Sequence, residues 1–303
     1  METGVSALPD DPVPFDRPLR RTDLNPTAAG VVLGSALREL REERDLSVTR
    51  AAKSISVSTS KLSRLERAEN PPIARDVSAL ADLYRVRAEQ RHYLTHLAKR
   101  ALEPEWFDRY EDFAGSWMRR LMGLESDSLT LWTNEVNLVP GLLQTEEYTR
   151  ELMGNGLYAY AGDQLEHRIE LRMERQRRFF DQAEPPQANF LLDASILDRC
   201  PGTKQTRKKQ LRHLLTMTDR PGVSIRFIPL ETNLVTAVGS MTCLQFSPGG
   251  PLDMVYIEGH DGATYKTKKE DVELHLQLMF RLSNEAAEST DLSRSRIQSA
   301  INH

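Results

Sequence analysis

Apolar residues at Leu33, Ala36, Leu37 and Leu40 recur at helical spacing with Arg38, Glu39, Arg41 and Glu42 between them. This pattern predicts an amphipathic first helix with one buried stripe. Ser47 follows Leu46 and suits the cap of a second helix over 49–54, because its side-chain oxygen accepts from a free N–H of the first turn. Small Ala51 and Ala52 let a neighbouring helix approach. Ser58 caps a third helix, in which Leu62 and Leu65 face inward and Ser60, Lys61, Ser63, Arg64 and Arg67 face outward, until Asn70-Pro71-Pro72 ends it. Val77, Leu80, Leu83 and Tyr84 mark the apolar face of a fourth helix, and about 87–100 a fifth.

Beyond Pro104, which disfavours helix at Glu103 and makes a joint, the pattern changes. Trp106, Phe107, Tyr110, Phe113, Trp117 and Leu121 form an aromatic stripe at helical spacing, read as a packing face and, where exposed, as a dimer surface. Strand composition appears at 129–136, 190–193, 223–228, 241–246, 254–258 and 264–266. Helical patterns at 145–153, 162–181, 206–218 and 271–284 lie between or after them. Pro248-Gly249-Gly250 and His260-Asp261-Gly262 read as turns joining the later strands. The expectation is an α+β domain whose sheet is a largely antiparallel meander.

The span from Gly34 to Tyr84 therefore reads as a helix-turn-helix unit in an all-α, five-helix domain. In such a unit the third helix enters the major groove and its exposed residues meet base edges. Thr59, Ser60, Lys61, Ser63 and Arg64 are the candidate base readers. Arg38, Arg41, Ser47, Arg50, Lys53 and Arg67 are the candidate phosphate contacts. These residues resemble the Xre family of bacterial regulators, related to the phage lambda and Cro repressors. The likeness rests on Leu37-Arg38 and Leu40-Arg41, on Leu46-Ser47, and on Ser58-x-Ser60-x-x-Ser63-Arg64-Leu65-Glu66. It implies phosphate contacts from the start of helix two, base contacts from the first turns of helix three, and a structural role for Glu66. Val48 stands where the family commonly has Gln, and Ser56 and Ala68 stand where it has Gly.

Charge sharpens this picture. The chain of 303 residues has a net charge of −4, but residues 31–100 carry +5, residues 1–30 carry −2 and residues 101–303 carry −7. Affinity for nucleic acid comes from neutralised phosphates, so only the helical segment suits DNA. Residues 1–30, with Pro9, Pro12, Pro14, Pro18 and Pro26, read as a flexible arm whose Arg17, Arg20 and Arg21 suit a minor groove or simply solvent. The predicted organisation is this arm, a DNA-binding domain over 31–103, an α+β domain over 104–290 and a tail over 291–303 with helical character. With no apolar run near 18 residues, no leader pattern and only Cys200 and Cys243, a reduced cytoplasm is the expected setting, with no membrane contact.

Val139-Pro140-Gly141-Leu142-Leu143-Gln144-Thr145-x-x-Tyr148 resembles the signature of the domain of unknown function 5753, which is found joined to Xre helix-turn-helix domains. Leu124-Glu125, Arg172-x-x-Arg175-Gln176, Gln210-Leu211-x-x-Leu214 and Val223-x-Ile225-x-x-Ile228-Pro229 extend the likeness, while Ala194 and Met241 depart from it. Two readings of the signature stand side by side. Pro140-Gly141 makes a bend, Leu142 and Leu143 fill a core, and Thr145 caps the next helix. Alternatively, Gln144, Thr145, Tyr148, Arg172, Arg175 and Gln176 line a cleft for a partner peptide or an anionic ligand, since Arg presents forked donors.

His92 and His96 at i,i+4 lack a third ligand, and Glu258-x-His260-Asp261 is ordinary turn chemistry, so no metal, cofactor or catalytic site is expected. The reading is a DNA-binding regulator, a repressor in preference, acting in the cytoplasm at the nucleoid as a homodimer on pseudo-palindromic sites. Resemblance implies control by a small protein of the domain of unknown function 397 family encoded nearby; such pairs act in bacterial development or behave like toxin and antitoxin. A sensor of an anionic small molecule is the second reading, and an enzyme fused to a DNA-binding domain the distant third.

Overall fold

The computed structural model describes residues 24–155, 159–232, 239–246, 252–259 and 262–302. Two units divide between Trp106 and Phe107. The first contains α1 (Pro26–Glu43), α2 (Val48–Ser54), α3 (Thr59–Glu66), α4 (Ala74–Leu83) and α5 (Ala88–Arg100). α1 starts well before its apolar stripe, inside the stretch expected to be a flexible arm. Asn25 accepts from Ala28 N at 2.9 Å and Pro26 occupies the first helical position, a pair of start signals that composition had masked. Arg100 Nε donates to Leu24 O at 2.7 Å and Thr27 is held by Glu105, so 24–30 belong to this unit. Arg17, Arg20 and Arg21 lie outside the described residues.

The first four helices end alike. Asp45, Ser56, Ala68 and Arg85 each adopt positive φ (52°, 57°, 51° and 53°) one residue beyond the helix cap. At each, the next N–H returns to a carbonyl five residues earlier: Leu46 to Arg41, Val57 to Ala52, Glu69 to Arg64 and Val86 to Ala81, at 2.9–3.1 Å. These paired bonds satisfy the orphan carbonyls of each helix end. After α1 and α2 an apolar residue and a serine follow at once, and that serine caps the next helix. Ser47 accepts from Arg50 N and Ser58 from Lys61 N, at 3.2 and 3.1 Å. Packing is equally close at Gly34 on α1, where a Cβ would lie 2.6 Å from Glu66 O and 2.8 Å from Leu65 O. The last turn of α3 thus rests directly on the α1 backbone.

In the second unit the aromatic stripe does not form one helix. A 3-10 turn over Asp108–Tyr110 buries Phe107 and Tyr110, and α6 (Ser116–Glu125) begins afresh with Gly115 as its cap. Six strands follow: β1 (Thr130–Glu135), β2 (Gln187–Asp193), β3 (Val223–Ile228), β4 (Met241–Gln245), β5 (Met254–Glu258) and β6 (Ala263–Lys266). Their order across the sheet is β3-β2-β1-β4-β5-β6. β4, β5 and β6 pair antiparallel, as does β1 with β4, but β1–β2 and β2–β3 are parallel. The expected antiparallel meander therefore describes one half of a mixed sheet. The parallel half follows from its connections, since α7 (Glu146–Gly154) and α8 (Asp163–Phe180) separate β1 from β2, and α9 (Lys204–Thr218) separates β2 from β3. The turns at 248–250 and 260–261 lie outside the described residues.

One sheet face is an apolar core. Leu191, Ile228, Met241, Cys243 and Val255 pack with Val272 and Met279 of α10 (Lys269–Arg281) and with Leu282 and Ala286 of the π-helical turn that follows. Residues 291–302, set apart in sequence as a tail, lie within α11 (Thr290–Asn302). Ile297 is fully buried and Ser293 accepts from Phe227 N at 3.0 Å, so this helix is part of the unit. Among the described residues no helix is long and apolar enough to cross a membrane.

Candidate nucleic-acid interface and the polar cluster of the sheet

α3 is held by Leu62 and Leu65, both buried, and presents Thr59, Ser60 and Arg64 to solvent. Lys61 and Ser63 are half-buried. The Lys61 ammonium pairs with the buried carboxylate of Asp76 in the first turn of α4, and Ser63 Oγ accepts from Arg67 Nη1 at 2.5 Å. Asn70 accepts from Arg64 Nε at 3.2 Å once its amide is oriented to satisfy both neighbours. The face is thus partly preorganised: Thr59 and Ser60 are open, while Lys61 must leave Asp76 to reach a base.

The phosphate candidates separate into three groups. Arg50 and Lys53 are exposed without an ion pair among the described residues, and Ser47 is exposed at the start of α2. Arg38 and Arg67 are exposed but paired with Glu42 and Glu69 at 2.8 and 2.7 Å, exchangeable contacts that contribute little in water. Arg41 is the correction. It is 6 % exposed, forms a two-pronged pair with Glu66 at 2.7 and 3.0 Å and donates to Leu46 O at 2.8 Å. Hydrogen bonding to Glu66 holds its guanidinium above the ordinary range. A group so engaged ties α1 to α3 and is not available to phosphate. Sequence reasoning missed Arg44, also buried, which donates to Tyr84 O at 3.1 Å, and Arg75, whose side chain is widely exposed at the start of α4. Arg41 and Arg44 continue the Leu37–Leu40 stripe at helical spacing, and that position was the available signal.

In the second unit the six cleft candidates gather around the turn at Gly141, mostly as an internal lock. Gln144 is buried, donates to Val139 O at 2.7 Å and accepts from Thr149 Oγ1 and Arg172 Nη1. Gln176 donates to Gly141 O and Gln144 O at 2.7 and 2.8 Å. Thr145 caps α7, accepting from Tyr148 N, and its own N–H is taken by Gln210, which also donates to Leu143 O at 2.7 Å. The Tyr148 hydroxyl, fully buried, accepts from Val139 N at 3.2 Å. Arg175 makes a two-pronged pair with buried Glu125 at 2.6 and 2.8 Å. The glutamine amides satisfy carbonyls that an irregular buried turn would otherwise orphan.

Arg172 differs from the rest. Among the described residues its only hydrogen bond is to the Gln144 side-chain oxygen, and no carboxylate lies within 4.0 Å of it. Burial and the neighbouring Arg175 pull its guanidinium down to about 10. At the end of β1, burial pushes the Glu135 carboxyl up to about 7, although Ser240 donates to it at 2.6 Å. Glu258, exposed at the end of β5, accepts from Tyr256 Oη at 3.1 Å. His92 and His96 are exposed on α5, and among the described residues no group of three metal-ligating side chains occurs.

Residues 118–299 match the family model described as domain of unknown function (DUF5753), and residues 32–94 match that of a helix-turn-helix domain. No curated protein and no solved structure matches the chain.

Proposed function

Because the chain belongs to the DUF5753 family and carries a helix-turn-helix domain that supports DNA binding, we propose that it is a sequence-specific transcriptional repressor of lambda-repressor-like type. The observation that carries this reading is α3, anchored by Leu62 and Leu65 with Thr59, Ser60 and Arg64 outward, in the one region of net positive charge. In the major groove these side chains would meet base edges. Ser47, Arg50 and Lys53 at α2 would hold the backbone, with Arg38, Arg67 and Arg75 joining after exchange of their carboxylate partners. A pseudo-palindromic operator read by a homodimer, with half-sites ~34 Å apart, is the economical arrangement. The acidic second domain is kept from DNA by its own charge and serves control, with a small protein of the DUF397 type encoded nearby as the proposed partner. No catalytic step is assigned to it.

Genome-wide occupancy of the protein, with and without the neighbouring small gene, tests the reading. The expected result is a set of two-fold symmetric sites whose occupancy depends on the small protein. Occupancy without a shared sequence would overturn specific recognition, and occupancy indifferent to the small protein would overturn the partner.

A further inference from the structure

α10 covers the core face of the sheet with Val272 and Met279, both buried, so its outer side should be polar if it met only water. It is not. Leu274 is 54 % exposed and Phe280 48 %, two of the large apolar side chains that the described residues leave open. Leu276 and Leu278 are half-buried on the flanks of the same helix. The ring of Trp132, half-buried on the central strand β1, lies with its centroid 5.5 Å from that of Phe280. Single exposed apolar residues are ordinary, but a group gathered on one helix and the strand beside it marks a contact surface.

The charged residues of this side are open too. Lys269 pairs with Glu273 at 3.8 Å, and Arg281 with Glu285 of the π-helical turn at 3.0 Å. Both are exposed i,i+4 pairs, which contribute little in water and exchange readily. From 269 to 285 the exposed positions are symmetric about Gln277, as helical geometry makes them. The chemistry at those positions is a property of the sequence, and it is complementary. Leu274 and Phe280 stand equally far before and after Gln277, as do Glu273 and Arg281, and likewise Lys269 and Glu285. Each such pair joins two apolar groups or opposite charges, while Glu270 and Asn284 set a carboxylate against an amide. In two antiparallel helices crossing at Gln277, residues equally far before and after it come to the same level on the two partners. A two-fold contact is isologous, so every complementary pair is made twice.

We propose that α10 is the dimer interface of this protein, packing antiparallel against α10 of a second copy about a two-fold axis at Gln277. Leu274 and Phe280 form its apolar centre, and Glu273 and Arg281 pair across it. The proposal rests on the homodimer inferred above for operator binding and gives that dimer a place in the second unit. One helix from each copy makes a contact at the small end of specific interfaces, so self-association in roughly the micromolar range is expected.

The test is analytical ultracentrifugation of the full chain without DNA, from ~1 to ~100 µM, where the parent should dimerise. Leu274→Asp, at an exposed position that leaves the core of the unit alone, should weaken dimerisation about tenfold or more. Glu273→Arg and Arg281→Glu should each weaken it as well, because each sets like charges across the axis twice. An equimolar mixture of these two variants should recover dimerisation, since both crossings of the mixed dimer then join opposite charges. No change in the stability of the single chain produces that recovery. A parent that stays monomeric at ~100 µM leaves the face to another partner and overturns the proposal along with the free homodimer. A dimer indifferent to Leu274→Asp, or charge variants that fail to recover on mixing, overturns this interface while the homodimer stands.

Discussion

Replacing Arg41 by Met should unfold the first unit more than it weakens contact with DNA. The Arg41 and Glu66 side chains are 8 % and 5 % exposed and joined at 2.7 Å. Removing one partner of a buried pair costs about 3–5 kcal/mol, because the remaining carboxylate is stranded without a counter-charge. The lost bond to Leu46 O lies in the same α1–α2 turn and works in the same direction. Replacing both residues, Arg41→Met with Glu66→Leu, should cost less than the sum of the single changes, leaving a coupling of roughly 2 kcal/mol or more. Arg50→Gln is the contrasting change. It should leave stability within about 0.5 kcal/mol and lower the salt slope of DNA binding by roughly 0.9, the signature of one lost phosphate contact. The two units need not unfold together, so urea titration should be read by amide exchange in α1 and α3. An Arg41→Met protein as stable as the parent, with a salt slope reduced by about one, would refute the assignment and restore Arg41 to the phosphate contacts.

Ser56→Gly and Ala68→Gly should each raise stability by about 0.5–1 kcal/mol, since glycine removes the left-handed penalty at the expense of some unfolded-state entropy; a fall in melting temperature would contradict this. Gly34→Ala should destabilise by about 1–3 kcal/mol despite alanine's better helix propensity, because its Cβ meets two backbone carbonyls; an unchanged urea midpoint would show that α1 and α3 separate easily. Glu135 has a folded value near 7 against 4.5 for the free side chain, so its contribution is fully present below about 4.5 and is lost as pH rises through 7. Glu135→Gln should therefore match the parent at acid pH and exceed it by up to about 3 kcal/mol near pH 8, and a difference independent of pH would refute the burial of this carboxyl.

What could be read from the chain was local. The serine caps at 47 and 58, the inward Leu62 and Leu65 and the places of the six strands follow from spacing and from turn and cap chemistry. Asn25-Pro26 was equally local, but the surrounding prolines weighed against helix there. Arg41 illustrates another failure: as an arginine it suggests phosphate, while its place on the apolar stripe requires a buried partner, and helical position outweighs residue type. The parallel half of the sheet was signalled by helices between strands, yet which strands pair depends on contacts far apart in sequence. Of the lock around Gly141, the Thr145 cap and the buried Leu142 and Leu143 were legible in the sequence, while the pairings that close it were not. Glu125 with Arg175, Gln144 with Arg172 and Gln210 with Thr145 are joined across 28 to 65 residues.

Four left-handed residues, none of them glycine, in one small helical unit are costly, at about 1 kcal/mol or more apiece. Their geometry explains the expense. A left-handed turn closes each helix end, and after α1 and α2 it delivers the cap of the next helix within two residues, so α2 and α3 have little freedom of angle. α3 is then restrained from both sides, by the Ser56 turn before it and the Ala68 turn after it, and from behind by Gly34 and by Arg41 on Glu66. None of these restraints uses the exposed side chains of Thr59, Ser60 or Arg64. The placement of α3 and the identity of the bases it would read are consequently set by different residues. Val48, half-buried at the start of α2, is likewise no part of these restraints.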